Sequence, residues 1–397
     1  MREGWSQRSL GDVATIYNGN SINADEKKKK YLGQTQGLPF IATKDVGNDG
    51  VIDYENGVRI PNYTDFKIAH PDSVFVCAEG GSAGKKVAFV EQEVCFGNKL
   101  FALQPKKALL NGRYLYYFVQ SQAFKEQFKQ LITGIIGGVS SKKFKEIPII
   151  LSPLPEQQRI VDILDREFAK IDALKANAEK SLQAAKDLFR HISNGYYNEP
   201  SPVSKLGDEC IFVRGPFGGS LKKSCFVSSG YPVYEQQHAI YSTFTFRYFV
   251  NEEKYNEMKR FTTHPGDLIM SCSGTIGKVA IIPEDAPIGI INQALLKLTP
   301  KKKILPEYLK WYMQSISFEK DIQRHSKGAA IQNVASVAIL KEIAIPVPTI
   351  EKQKQIVARL DDLNERCNAL QENYQKTLTL CDDLKQSLLR KAFNGEL

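Results

Sequence analysis

Pro155-Glu-Gln-Gln-Arg-Ile-Val161 opens a long run of helical periodicity, and Glu351-Lys-Gln-Lys-Gln-Ile-Val357 opens a second. Laying Ile160-Val161 on Ile356-Val357 fixes an offset of 196 residues, and Lys145-Glu-Ile147 then falls on Lys341-Glu-Ile343. The chain therefore reads as a tandem repeat. In the second run Ile356, Leu360, Leu363, Cys367, Leu370, Tyr374, Thr377, Cys381, Leu384 and Leu388 alternate by four and three, the seam of a coiled coil. The first run carries Ile160, Leu164, Ile171, Leu174, Ala178, Leu182, Ala185, Leu188 and Ile192, broken once by Glu167. At about 1.5 Å per residue each helix would be roughly 55 to 65 Å long. Neither can bury its stripe alone, so the two are expected to pack on each other as a spacer.

The helix ends carry signals of their own. Pro155 suits a first helical position with Glu156 at the positive end of the dipole, and Thr349 with Glu351 can serve the second copy. Basic residues followed by Asn-Gly close both, at Arg190 to Asn194-Gly195 and Arg390 to Asn394-Gly395. This closing offset is 200, so the second helix is expected to gain four residues, about one turn, without changing the face it presents.

The segments before the helices repeat in part. Leu10-Gly11-Asp12 matches Leu206-Gly207-Asp208, and each leads through a strand-like run into a glycine-rich turn, Asn18-Gly-Asn20 or Arg214-Gly-Pro-Phe-Gly-Gly219. Such turns can bring backbone amides to phosphates or simply reverse a strand, and both readings stay open. A divergent stretch follows, with Lys27 to Lys30, Lys44 and Arg59 in one copy and Lys222, Lys223, Gln236, Gln237 and His238 in the other. Here the alignment lapses. A shared frame with different polar loops suits one scaffold presenting two reading surfaces, and Lys, Arg and Gln are side chains that pair with base edges.

Register returns at His70-Pro71 and His264-Pro265, followed by strands Val74 to Val76 and Leu268 to Met270. The turns Gly80-Gly-Ser-Ala-Gly-Lys85 and Gly274-Thr-Ile-Gly-Lys278 lack the spacing of a nucleotide-binding P-loop. They read as hairpins in which Lys85, Lys86 and Lys278 either position a DNA phosphate or are plain turn lysines. Asn98-Lys99 and Asn292-Gln293 occupy matching places and complete the candidate DNA-facing set. Tyr114-Leu-Tyr-Tyr117 and Tyr308-Leu-Lys-Trp311 have the spacing of core helices. Polar loops, Gly134 to Ser141 and Gly328 to Ser336, precede each long helix.

Composition bounds the function. With 397 residues, 42% hydrophobic and 24% charged, the chain is expected to fold as a protein of two or more domains. It carries no apolar run long enough to span a membrane, and Met1-Arg-Glu-Gly-Trp-Ser does not begin a signal peptide. Seven cysteines without a Cys-x-x-Cys pair suggest reduced thiols in the cytoplasm, with neither zinc nor a disulfide framework. The net charge of +9 is unevenly placed: residues 1–155 hold 20 basic against 15 acidic side chains and residues 200–350 hold 18 against 13. The helix segments are −1 and 0, so the excess lies where a polyanion would be met.

No catalytic constellation emerges. Base-methylation tetrapeptides and a His-Glu-x-x-His motif are absent from the sequence. Taken together, Leu154-Pro-Glu-Gln-Gln-Arg-Ile-Val161 after an Ile-Pro-Ile strand, its return at 351 and the Leu-Gly-Asp openings resemble the specificity subunits of type I restriction-modification systems. The resemblance covers essentially the whole chain. It implies two target-recognition domains, each reading half of a bipartite double-stranded DNA site, with two long helices packed antiparallel between them. It also implies that the helices bind two methyltransferase subunits, which bring S-adenosylmethionine and the chemistry, and that motor-nuclease subunits join for cleavage. The second opening lacks the Pro-Glu-Gln of the first, and Gly134-Ile-Ile-Gly-Gly138 lacks the polar run at Ile331-Gln-Asn333, so the halves need not engage partners equally.

The expectation is thus an α+β chain with an internal pseudo-two-fold repeat: recognition domains at 1–155 and 200–350, long helices at 156–199 and 351–397. It would be non-catalytic, without cofactor or metal of its own. A coiled-coil scaffold with two protein- or nucleic-acid-binding heads is the alternative, and a stand-alone nuclease or methyltransferase with unfamiliar spacing is a third class.

Overall fold

One short antiparallel ladder closes each repeat on itself: Ser6–Ser9 pairs with Pro148–Leu151, and Val203–Lys205 with Ala344–Pro346. The computed structural model describes residues 3–134, 137–217, 219–273, 275, 277–325 and 337–397. The loop expected at Gly328 to Ser336, with Ile331-Gln-Asn333, lies outside them. The chain divides into two units, Met1–Ala178 with Lys376–Leu397, and Glu179–Gln375, so the boundary falls inside both long helices.

Each unit holds the same two sheets. In the first, a four-stranded antiparallel sheet runs in the order Ala14–Asn18, Leu100–Pro105, Val74–Cys77, Val87–Phe89. A smaller mixed sheet runs Arg59–Ile60, Leu38–Ile41, Val94–Phe96, Ile68–Ala69, with the middle two strands parallel. The second unit repeats both, as Cys210–Arg214, Leu295–Pro300, Leu268–Ser271, Val279–Ile281 and as Phe249–Val250, Tyr231–Tyr234, Gly289–Ile291, Thr262–Thr263. The repeat therefore continues structurally through the stretch where the sequence alignment lapses.

Strand alternation explains why these short strands are apolar on both faces. Val74 and Val76 point into a core shared with the helices Gly112–Gln120 and Gln122–Leu131, while Phe75 and Cys77 point into the core beneath the mixed sheet. Leu268 and Met270 against Ile269 divide in the same way. Of the aromatics expected to be core, Tyr114, Tyr117, Tyr308 and Trp311 are buried and Tyr116 is half-buried.

The long helices span Leu154–Tyr197 and Ile350–Asn394, 44 and 45 residues. The four-residue gain expected for the second is not realised, because the first continues through Gly195 to Tyr197. Tyr197 is buried against Tyr308 and Tyr312, and that packing carries the helix past the glycine. Gly395, by contrast, takes the left-handed φ of 74° and ends its helix. Within the first unit the two helices run antiparallel, with Lys175 on Asp382 at 2.8 Å and Lys385 on Asp172 at 2.5 Å.

The seam differs from the expected heptad. Ile160, Leu164, Ile171, Ile356 and Leu360 are buried, but Leu363 is half-buried and Leu174, Leu370 and Leu384 are exposed at 52, 45 and 49%. Ala178, Ala185, Cys367 and Cys381, also members of the expected stripes, are buried. Small side chains thus occupy the buried positions along the middle of these helices, and leucines flank them. No helix among the described residues is long and apolar enough to cross a membrane.

Candidate nucleic-acid interface

Parallel strands share a direction, so the turns that follow them emerge at one edge of a sheet. In the first unit Phe40 pairs with Cys95 and Ile41 with Phe96. The turn Thr43–Asp45 and the segment Gly97 to Lys99 therefore sit side by side. The hairpin between Cys77 and Val87 is tied to both: Lys86 Nζ donates to the Thr43 carbonyl at 3.2 Å, and the Ala78 amide to the Lys99 carbonyl at 2.8 Å. Asn18, ending its own strand, donates from Nδ2 to the Asn98 carbonyl at 2.9 Å.

One edge thus gathers Lys44, Lys85, Lys86, Asn98 and Lys99. Lys44 is 72% exposed, with its ammonium 3.8 Å from Asp45. Lys99 pairs with Glu79 at 3.0 Å, and Lys85 donates to the Gly81 carbonyl at 3.1 Å. Lys27 is half-buried over the Phe40 ring, and burial lowers its pKa, with Asp45 opposing and Lys44 adding to the shift. The run Lys27 to Lys30 is helical and begins beside the same edge.

The second unit builds the same edge with other side chains. Val233 pairs with Ile290 and Tyr234 with Ile291, which brings Gln236 and Gln237 beside Asn292 and Gln293. The Asn292 amide donates to the Tyr234 carbonyl at 3.0 Å. Gln236 spans to the hairpin: its Nε2 donates to the Ser273 carbonyl, and its Oε1 accepts from Ser273 Oγ at 3.0 Å. Lys278 and Gln293 are exposed, as are Lys222 and Lys223 in the preceding loop.

Two bonds fix the correspondence between the units. The Asp45 carboxylate accepts from the Ala42 amide at 2.9 Å, and His238 Nδ1 accepts from the Glu235 amide at 2.7 Å. Asp45 and His238 cap the same turn, so Lys44 and Gln237, one residue earlier, are counterparts. The signal that could have aligned them is Gly37-Leu-Pro39 against Gly230-Tyr-Pro232, where a Gly-x-Pro triplet opens the strand in both copies.

Two expected contacts do not belong to this edge. His238 is fully buried, and its Nε2 donates to the Thr245 carbonyl at 3.0 Å, so both ring nitrogens are engaged and the ring holds a loop. Arg59 pairs with Pro39 near the start of its neighbouring strand, away from the turns, and its guanidinium donates to the Gly37 carbonyl at 3.1 Å and to Glu55 at 3.2 Å.

The glycine turns are explained by close approach. A Cβ on Gly19 would lie 2.0 Å from the Phe96 carbonyl oxygen, and one on Gly215 1.9 Å from that of Asn292. His70 bonds to Glu93 at 2.8 Å, and no group of three metal-ligating side chains occurs among the described residues.

A family model described as the type I restriction modification DNA specificity domain matches residues 2–184 and 203–380. The chain belongs to that family. The EcoKI specificity subunit of Escherichia coli (strain K12) is 25% identical over all of this chain and 90% of its own length. The EcoBI subunit of Escherichia coli is 23% identical over all of this chain and 87% of its own, and the MjaVIII subunit of Methanocaldococcus jannaschii is 22% identical over 100 and 93%. The fold matches a solved chain from work on assembly and conformational transition of the type I R-M system, with a TM-score of 0.80, 18% identity and coverage of 100 and 99%. The HsdS subunit of Thermoanaerobacter tengcongensis matches with a TM-score of 0.56, 18% identity and coverage of 100 and 98%.

Proposed function

We propose that this chain is the non-catalytic DNA-recognition subunit of a type I restriction-modification complex, reading a two-part double-stranded target with one half-site for each of the domains 1–155 and 200–350. The observation that carries this reading is the pair Lys44 and Gln237, counterpart residues of one turn with different hydrogen-bonding chemistry. A lysine ammonium suits the O6 and N7 acceptors of guanine, whereas a carboxamide suits the N6 and N7 edge of adenine. One frame with two such residues reads two different sequences.

Asn98, Asn292 and Gln293 lie beside those turns and supply further base or sugar contacts. Lys85, Lys86, Lys99, Lys222, Lys223 and Lys278 neutralise phosphates, in keeping with the positive excess of both segments. Leu174, Leu188, Ile192, Leu370, Leu380 and Leu384 are exposed large apolar residues on helices otherwise rich in charge, which favours a protein cover over the segments 156–199 and 351–397. Two methyltransferase subunits are that cover, and restriction subunits join the assembly in the cytoplasm.

Mapping methylated bases across the source genome with the gene intact and deleted tests the reading. Loss of one interrupted two-part motif is the expected result. An unchanged map refutes it and favours the coiled-coil scaffold, whose heads would also lack a steep salt dependence with DNA.

A further inference from the structure

Phe217 is 86% exposed, the highest figure among the large apolar side chains described. Its loop is held at the foot. Gly215 and Pro216 are buried, the Gly215 amide donates to the Leu295 carbonyl at 2.9 Å, and Arg214 donates to the same carbonyl at 3.0 Å. Beyond the ring, the Phe217 carbonyl accepts from the Gly219 amide at 3.1 Å and from Ser220 Oγ at 3.1 Å. The backbone leading into Phe217 is therefore held, and its carbonyl is bonded, while the phenyl is left in water.

The foot rests on Asn292, whose amide is bonded to Tyr234, the residue that leads into Gln236 and Gln237. Lys222 lies alongside the loop, its Cε 3.9 Å from where a Cβ of Gly219 would be, and Lys223 is exposed. An aromatic ring thus projects from a basic loop next to the candidate reading turn. The first unit has nothing comparable there: Asn18 to Asn20 is pinned against Phe96 and Asn98 and carries no aromatic side chain.

A phenyl ring cannot read a base edge by hydrogen bonding. What it can do beside a duplex is enter between base pairs and unstack them, as apolar wedges in DNA-bending proteins do. We propose that Phe217 is a wedge that opens one base step in the half-site read by residues 200–350, and that the other half-site is read without one. This rests on the DNA-recognition function proposed above.

The test uses the full chain and duplexes carrying the two-part motif from the methylation map, with 2-aminopurine placed at successive positions of that half-site. Binding should raise the fluorescence severalfold at one step. Phe217→Ala should abolish the rise and weaken binding about tenfold, the size of one lost aromatic stack, while Phe217→Trp keeps both. Because the side chain is exposed, both variants should melt with the parent. Specific binding with no rise at any position, or an equal rise with Phe217→Ala, overturns the wedge alone. Failure of the parent to prefer the motif over a scrambled duplex overturns the recognition function and the wedge with it.

Discussion

Gln157 and Gln353 do the same work at the same place in the two units. Both are fully buried. Gln157 Oε1 accepts from the Asn111 amide at 2.8 Å, and its Nε2 donates to the carbonyls of Leu109 at 2.9 Å and Ser152 at 2.8 Å. Gln353 accepts from Leu305 at 2.9 Å and donates to Lys303 at 2.8 Å and Pro348 at 2.9 Å. Each carboxamide thereby ties the first turn of a long helix to the approach of a short one and to the chain leaving the closing strand. The glutamine common to the two helix openings is a structural joint, and it fixes the direction in which each long helix leaves its domain.

Replacing either glutamine by leucine should be costly, and about equally so in both units. Three buried backbone groups lose their partner, at about 1 to 3 kcal/mol each before the structure relaxes. We expect Gln157→Leu and Gln353→Leu each to lose about 3 kcal/mol in urea unfolding. A loss under about 1 kcal/mol would mean that water takes over the bonds.

Lys44→Ala and Gln237→Ala should each relax one half of the methylated motif and leave the other half intact. Losing a good base contact costs about 1 to 3 kcal/mol of discrimination. Sequencing of methylated bases in cells carrying each variant reads this directly. Degeneracy appearing in both halves from one substitution would show that the turn acts only on the backbone of DNA.

A buried charged pair distinguishes the second unit. Lys297 lies 3.4 Å from Asp267, which also accepts from the His264 amide at 2.9 Å and from the Thr299 hydroxyl. The corresponding residues of the first unit are Ala102, Ser73 and Gln104, joined by one neutral bond from Ser73 Oγ to Gln104 at 2.6 Å. Lys297→Met strands a carboxylate, so we expect a loss of about 3 to 5 kcal/mol. Writing the first unit's residues into the second, as Asp267→Ser, Lys297→Ala and Thr299→Gln together, should be less destabilising than that single change. Thermal melting of both variants decides it.

Thiol labelling checks burial without any partner. Burial pushes the Cys95 and Cys210 thiols up to about 12 and Cys272 to about 11, and it raises Cys77 as well. A raised thiol pKa means less thiolate at pH 8, and Cys367 and Cys381 are shielded inside the helices. Only Cys225 is part-exposed, so one thiol should react in the native chain and seven in denaturant. Two or more reacting quickly at pH 8 would show that a core opens.

The sequence displayed the repeat wherever packing constrains it. Leu10, Ile160 and Ile356 recur or align because each must fill a core, and the shared glutamine because its bonds are to backbone, whose geometry does not vary. The candidate edge was only half legible. Lys44 and Gln237 share a position without sharing chemistry, and their capping partners Asp45 and His238 perform one bond with different atoms, so no residue of the turn itself matches and only the Gly-x-Pro triplet ahead of it marks the place. His238 was misread because a polar side chain in a divergent loop looks like a reader until its burial is known. The seam was misread for a related reason: heptad spacing does not say which members of the row are covered, and Leu174 and Leu384 are not.

Those exposed leucines give the last prediction. Leu174 and Leu384 lie on the two long helices at 52 and 49% exposure, so an aspartate at either position replaces surface that water already reaches. Stability should change by less than about 0.5 kcal/mol, as for surface substitutions away from special features. A docked methyltransferase subunit, however, would bury that aspartate against apolar atoms, and an unpaired carboxylate there costs several kcal/mol. We therefore expect Leu174→Asp with Leu384→Asp to melt with the parent yet lose co-purification with the methyltransferase subunit by about tenfold or more, a change that corresponds to about 1.4 kcal/mol. Unchanged co-purification would place the docking surface elsewhere on the helices, with Leu188, Ile192 and Leu370 the next residues to alter.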